Sequence, residues 1–141
     1  MHRYMFAILA ALLCLTMVVG CDGTEAATYN TLLPGTDGIA AVTVTSMPQG
    51  YDYSFIGESA KKIAQCILDM DVTADFPEDP NVYAGMTWVI TAEYEDGNTA
   101  TVYLFGNMFI RSGDGPWFKV SGEEAEGFEA LLTSLSQRSS Q

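Results

Sequence analysis

The chain has 141 residues, of which 18 are acidic and six are lysine or arginine, for a formal net charge of −12. Binding to nucleic acid needs clustered Lys and Arg side chains that neutralise phosphates, so this balance argues against it. The same acidity argues against flat adsorption on an anionic lipid surface and is typical of a self-repelling, soluble surface.

The chain begins with a short basic segment, His2-Arg3, which is followed by an apolar run over residues 5–19. A helix that spans a membrane needs about 20 apolar residues, and this run is shorter. A basic start, a short apolar run and a small residue before the cut are typical of a secretory signal peptide. We therefore predict that residues 1–20 are a signal peptide that ends at Gly20.

Cys21 directly follows Val18-Val19-Gly20, and this motif resembles the lipobox of bacterial lipoproteins. The resemblance implies cleavage before Cys21 and a diacylglyceryl group on its thiol, and two acyl chains give stable anchoring. The predicted location is the extracytoplasmic side of the cell membrane, with the membrane as partner through the lipid anchor. The alternatives are an ordinary secreted protein cut after Gly20 and an uncut transmembrane anchor.

Removal of the signal peptide also removes His2, the single histidine of the chain, and Cys14. Histidine-based nucleophile systems, histidine-ligated zinc and histidine general bases are then excluded. With Cys21 acylated, Cys66 is a lone thiol, so we expect no intramolecular disulfide. Its place on the apolar side of a predicted helix favours a buried, inert thiol, and we predict no metal and no other cofactor.

After Cys21 the chain is small and polar, with glycine-containing turn signals, and residues 21–38 predict a lipidated, flexible tether. The β-branched run over residues 41–45 and the alternating run over residues 51–55 predict a hairpin. Apolar residues at spacings of three and four then predict a helix over residues 58–70. Residues 71–85 are acidic and contain two prolines, so we expect a loop there.

A meander of four strands follows, over residues 87–95, 99–105, 108–111 and 117–120, with a strong hairpin signal at Asp96-Gly97. A capping box begins the last helix, because Ser121 is placed to cap it and Glu124 to reach back. An apolar helical stripe follows the box: Ala125, Phe128, Leu131, Leu132 and Leu135.

The element order ββ-α-ββββ-α predicts an α+β fold, in which an antiparallel sheet (a hairpin plus a four-strand meander) carries two helices packed on one face. The length after the signal suits one domain, predicted over residues 39–135, with a polar tail over residues 136–141. The arrangement resembles the small, uncharacterised α+β lipoproteins of Gram-positive bacteria. The lipobox is the specific motif in that resemblance, which implies no chemistry for the domain.

Two clusters of residues are candidate sites, and the first of them is acidic. It contains Asp69, Asp71, Asp75, Glu78 and Asp79, which could offer oxygen ligands to calcium. Its spacing fails the calcium-loop pattern, because Ala74 replaces the turn glycine and Pro80 replaces the bidentate glutamate. The same carboxylates, or Glu93 with Glu95, could form a glycosidase pair, although no pattern places two of them across a cleft. We predict a solvated loop and no metal site.

Aromatic residues form the second candidate site. The strands over residues 99–105 and 108–111 are apolar on both alternating sides, so one side remains after the helices cover the other. That side is either covered by the N-terminal hairpin or a loop, or partly exposed and able to dock a protein or a glycan. The predicted partner-binding residues are Tyr103, Phe105, Phe109 and Trp117.

The favoured function is therefore a membrane-tethered, non-catalytic binding module of the cell envelope, with a protein or glycan partner and no nucleic acid. The alternative is a small carboxylate-dependent hydrolase or a metal-binding protein of the envelope. Convergent carboxylates in a pocket would favour the second, and an exposed aromatic patch on a flat face would favour the first.

Replacement of Cys21 by Ser removes the acylated thiol and should move the protein from the membrane fraction to the soluble fraction. Membrane fractionation followed by mass measurement of the N-terminal peptide checks this outcome. A C21S variant that stays in the membrane with its whole signal peptide would show that the apolar run is a true anchor.

Overall fold

The computed structural model describes residues 32–76 and 80–138, in which seven strands form one antiparallel sheet in the order β2-β1-β4-β5-β6-β7-β3. The predicted α+β class, an antiparallel sheet with two helices, is confirmed. The elements in chain order are β1 (Ile39–Met47), β2 (Asp52–Ile56), α1 (Gly57–Leu68), β3 (Val72–Phe76), a 3-10 turn (Pro80–Val82), β4 (Thr87–Tyr94), β5 (Thr99–Phe105), β6 (Phe109–Ser112), β7 (Trp117–Val120) and α2 (Gly122–Arg138).

The core lies between the two helices and one face of the sheet, here called the helix face. Val44 of β1 pairs with Ile90 of β4, which pairs in turn with Val102 of β5, so these side chains share that face. Both helices bury their apolar stripes in the same cluster, as predicted. The fully buried members are Val42, Val44, Ile90, Ala92, Val102, Leu104 and Ile110 from the sheet and Ala60, Ile63, Ala64, Ile67, Ala125 and Phe128 from the helices.

Helix α1 connects the two edges of the sheet. It follows β2, which forms one edge, and leads to β3, which forms the opposite edge. Its apolar stripe fixes this path across the helix face, because Ile63 and Ile67 are fully buried there. The other face receives neither helix stripe.

Strand β3 is a correction to the sequence analysis, which placed a loop over residues 71–85. Val72 pairs with Val120 and Phe76 pairs with Trp117, so the segment is the last strand of the sheet. Its Val-Thr-Ala-Asp-Phe sequence has β-branched and aromatic residues, which suit a strand. The surrounding acidic residues obscured this signal, and the pairing partner lies more than 40 positions away along the chain.

The predicted tether also ends earlier than expected. Leu32 and Leu33 are 4% and 1% exposed and belong to the core cluster, although the sequence predicted flexible chain up to Gly38. The Tyr94 hydroxyl donates a hydrogen bond to the Gly35 carbonyl over 2.9 Å, and the Glu95 N–H donates to the Gly38 carbonyl over 2.7 Å. The packed domain therefore includes these residues.

The start of α2 has the predicted cap. The Glu124 N–H donates to Ser121 Oγ over 3.2 Å, and the Ser121 hydroxyl donates to Glu124 Oε2 over 3.1 Å. Glu124 Oε1 also accepts a hydrogen bond of 2.6 Å from the Asp71 N–H. One carboxylate therefore joins the first turn of α2 to the chain that enters β3.

Cys21 lies outside the described residues, as do Glu78 and Asp79 of the acidic stretch. The lipid anchor therefore stays a prediction. Within the described ranges, neither helix is both long and apolar enough to cross a membrane.

Substitution of Ser121 by Ala should lower the free energy of unfolding by about 1 kcal/mol, because it leaves an N–H of the first turn without its cap. Chemical denaturation measures the change. Ser134→Ala is the matched control, since Ser134 lies in the same helix and its hydroxyl bonds only locally, to the Leu131 carbonyl. Equal effects of the two substitutions would contradict a capping role for Ser121.

Candidate functional site

The face of the sheet that points away from the helices is here called the open face. Its side chains alternate along each strand with those of the helix face, as the register of β1, β4, β5 and β6 requires. The side chains at the centre of this face are half-buried and lie outside the core cluster. The central members are Thr43, Thr45, Val89, Thr91, Thr101, Tyr103, Arg111 and Trp117.

Three of these residues form a row across neighbouring strands. Arg111 of β6 pairs with Tyr103 of β5, and the β6–β7 register places Trp117 on its other side. The guanidinium carbon of Arg111 lies 4.8 Å from the centre of the Tyr103 ring and 4.6 Å from that of Trp117. The cation is therefore held between two aromatic rings, and each contact of this kind contributes about 0.5–1 kcal/mol at an exposed site.

Arg111 was not among the residues predicted from the sequence. The available signal was the hairpin turn at Gly106-Asn107, because counting outward from that turn places position 111 opposite Tyr103. The structure adds that Arg111 Nε is buried without a hydrogen-bond acceptor among the described residues. A buried donor left unpaired costs about 1–3 kcal/mol, more when it is charged, so the two rings offset a real desolvation penalty.

The other two predicted site residues, Phe105 and Phe109, lie at one end of the open face and are largely covered. They are 7% and 4% exposed. The Tyr83 ring stacks on Phe109 with ring centres 5.7 Å apart, and the Gly106 N–H donates to the Met86 carbonyl over 2.9 Å. The connection from the 3-10 turn to β4 therefore closes this end of the face.

The structure thus divides the four predicted residues into two pairs. Tyr103 and Trp117 are half-buried and flank Arg111. Phe105 and Phe109 are buried under the residues that lead from the 3-10 turn into β4. The Phe105 ring meets that of Trp117 edge-on, with centres 6.4 Å apart. A loop was expected to cover the second face of the sheet. Among the described residues, a loop covers the end of the open face that contains Phe105, and it does not cover the row of Tyr103, Arg111 and Trp117.

Trp88 is on the helix face, because it pairs with Leu104 of β5. It is 6% exposed, and its ring packs edge-on against Phe128 of α2 with centres 6.2 Å apart. Its Nε1–H donates to Glu129 Oε1 over 3.1 Å, and Asn107 Nδ2 donates to the same oxygen over 3.1 Å. Trp88 therefore fixes α2 on the sheet.

The carboxylates were the basis of the enzyme alternative. In residues 32–76 and 80–138, no three His, Cys, Asp or Glu side chains are arranged to hold a metal ion. Glu93 and Glu95, the pair considered for glycosidase chemistry, are both exposed at the end of β4. Asp69 and Glu124 line a groove of about 480 Å³ between the helices, but Glu124 is already bonded to Ser121 and Asp71.

Cys66 lines the same groove. Burial raises the pKa of its thiol, and the nearby carboxylates of Asp69 and Glu124 raise it further. Because the thiolate is the reactive form, these surroundings keep the group protonated and unreactive at neutral pH. Cys66 is half-buried and not fully buried as expected from the helical pattern.

Comparison of the chain with protein-family models, with curated proteins and with solved structures returned no match. Function is therefore inferred from the geometry of the domain itself.

Phe105→Ser and Tyr103→Ser should differ in stability although both remove a ring from the same strand. Phe105 is buried, so its loss should lower the free energy of unfolding by about 3–5 kcal/mol. Tyr103 is half-buried, and its loss should cost about 1–2 kcal/mol. Urea denaturation of the two variants measures the difference. Similar large losses would mean that the row is ordinary core.

Proposed function

We propose that the protein is a lipoprotein held on the extracytoplasmic side of the cell membrane by a lipid on Cys21, and that its domain is a non-catalytic binding module. The module binds a protein partner through the open face. The observation that carries this proposal is the row Tyr103-Arg111-Trp117, in which two rings hold a guanidinium at the surface of a sheet.

The residue types of the row support a protein partner. Trp, Tyr and Arg are the side chains most enriched at the positions that dominate binding energy in protein interfaces. Lys, Glu and Asp are depleted from interface cores, and the row's cross-strand neighbours, Val89 and Thr45, are uncharged. Because the central side chains of the face are half-buried and include no carboxylate, the face suits a flat contact of modest area.

The non-catalytic part of the proposal rests on the chemistry that is left after residue 20. No histidine follows that position, and the thiol of Cys66 has a raised pKa. The alternative of a carboxylate-dependent hydrolase or a metal-binding protein lacks a comparable geometric feature among the described carboxylates. The open face is therefore the better-supported site.

Site-specific photo-crosslinking tests the proposal in the native membrane. The full chain carries p-benzoylphenylalanine in place of Thr101, which lies on the open face next to the row. A discrete, protease-sensitive adduct is expected from this position, because a bound protein would lie within reach of the probe. Denaturing electrophoresis after illumination measures its yield.

Two matched positions serve as controls. Tyr51 is 56% exposed in the turn between β1 and β2, and Lys62 is exposed on α1, on the helix side of the sheet. The probe at these positions should give no adduct of the same mass. An identical adduct from all three positions, or none from position 101, would contradict binding through the open face.

A further inference from the structure

We propose that Arg111 is a carboxylate-binding residue, and that the protein partner places an Asp or Glu side chain against its guanidinium. This inference rests on the proposed function and names the chemical group that the open face recognises. Three features of Arg111 support it: the two rings that enclose the guanidinium, the burial of its nitrogens, and the net charge of the chain around it.

Two aromatic rings enclose the guanidinium of Arg111. Tyr103 and Trp117 lie on the strands on either side of β6, and the guanidinium carbon is 4.8 and 4.6 Å from their ring centres. These contacts limit the orientations of the side chain before a ligand arrives, which reduces the entropy lost on binding.

The donors at the tip of the side chain are the ones that a ligand would use. Nε is buried without an acceptor among the described residues, and the two Nη groups are not among the buried, unpaired atoms. Arg111 as a whole is half-buried, and the Nη groups lie at the end of its side chain. Two parallel N–H groups at the end of a guanidinium match the two oxygens of a carboxylate.

The kind of partner indicates which anion Arg111 binds. Asp and Glu carboxylates are the anionic side chains that an unmodified protein surface offers, and a guanidinium binds a carboxylate through two parallel N–H···O hydrogen bonds. A phosphate fits the same pair of donors, so inorganic phosphate is the competing anion in the test.

The charge of the domain favours a single carboxylate within a partner surface that is not acidic overall. The chain has a net charge of −12, which repels polyanions such as acidic glycans at long range. On the helix side, Glu129 accepts a hydrogen bond from Trp88 Nε1. Arg111 is thus a local cation on an acidic molecule. Its contact with a carboxylate fixes the orientation of the bound partner and depends little on the net charge of that partner.

Titration with sodium benzoate tests the site without knowledge of the partner. The full chain is labelled with ¹⁵N in detergent micelles, and Arg111→Lys assigns the Arg111 Nε–H signal by its disappearance. Benzoate should shift this signal and the amides of Tyr103 and Trp117 in a saturable way, with a dissociation constant in the millimolar range, because the probe is a small fragment. Benzamide, which has the same ring and no charge, should give no saturable shift.

Arg111→Lys should weaken benzoate binding about tenfold, measured on the Tyr103 and Trp117 amides, because an ammonium lacks the planar fork. Lys62→Met removes one positive charge from α1 and should leave the affinity unchanged. Inorganic phosphate that binds as well as benzoate would overturn the selectivity for a carboxylate. Equal shifts with benzamide would overturn the role of charge.

The crosslinking experiment separates this inference from the proposed function. With the probe at position 101, Arg111→Met should reduce the adduct yield at least about tenfold, while Lys62→Met should preserve it. An adduct that persists in the R111M variant supports protein binding through the open face and overturns the carboxylate contact. An adduct that resists protease and is degraded by glycan-cleaving enzymes overturns the assignment of a protein partner. The absence of any adduct overturns the proposed function, even if benzoate binds.

Discussion

The structure depends on one constraint, the strict alternation of side chains across the strands of a single sheet with helices on one side only. In each strand from β4 to β6, successive side chains lie alternately on a face buried under the helices and on a face partly exposed to water. Val102 and Leu104 are fully buried under the helices, whereas Tyr103 between them is half-buried. In the part of the chain that the structure describes, neither helix covers the open face, so its side chains shield one another.

The open face meets this requirement in two different ways. Around Phe105 and Phe109 the chain itself supplies a cover, since the segment with Tyr83 folds back on the rings. Around Arg111 the cover is local, because two rings enclose the guanidinium. The first arrangement contributes to stability, and the second leaves a rigid donor at the surface. The proposed binding role is therefore confined to the part of the face that packing has not closed.

Carboxylates on the helix side have structural tasks that explain part of the acidity of the chain. Glu129 accepts hydrogen bonds from Trp88 and Asn107, and so ties α2 to β4 and to the turn before β6. Glu124 joins Ser121 to the N–H of Asp71. These acceptors are used by neutral donors, while Arg111 on the opposite face has contacts with rings. These carboxylate hydrogen bonds and the ring contacts of Arg111 therefore lie on opposite faces of the sheet.

The sequence by itself determined the local features of the domain: the bounds of β5 and β7, the apolar stripes of both helices, the turn at Asp96-Gly97 and the cap at Ser121. These depend on neighbours within a few positions. Only the tertiary structure decided that Val72–Phe76 is an edge strand, that Leu32 and Leu33 are core, and that Trp88 and Trp117 lie on opposite faces. It also divided the predicted site and added Arg111 to it, because exposure and ring–cation contacts are set by which strands are neighbours and what covers each face. The alternation of residues along a strand predicts that the two faces of the sheet differ in the side chains they carry. The packing of segments distant in the sequence decides which of the two faces stays uncovered.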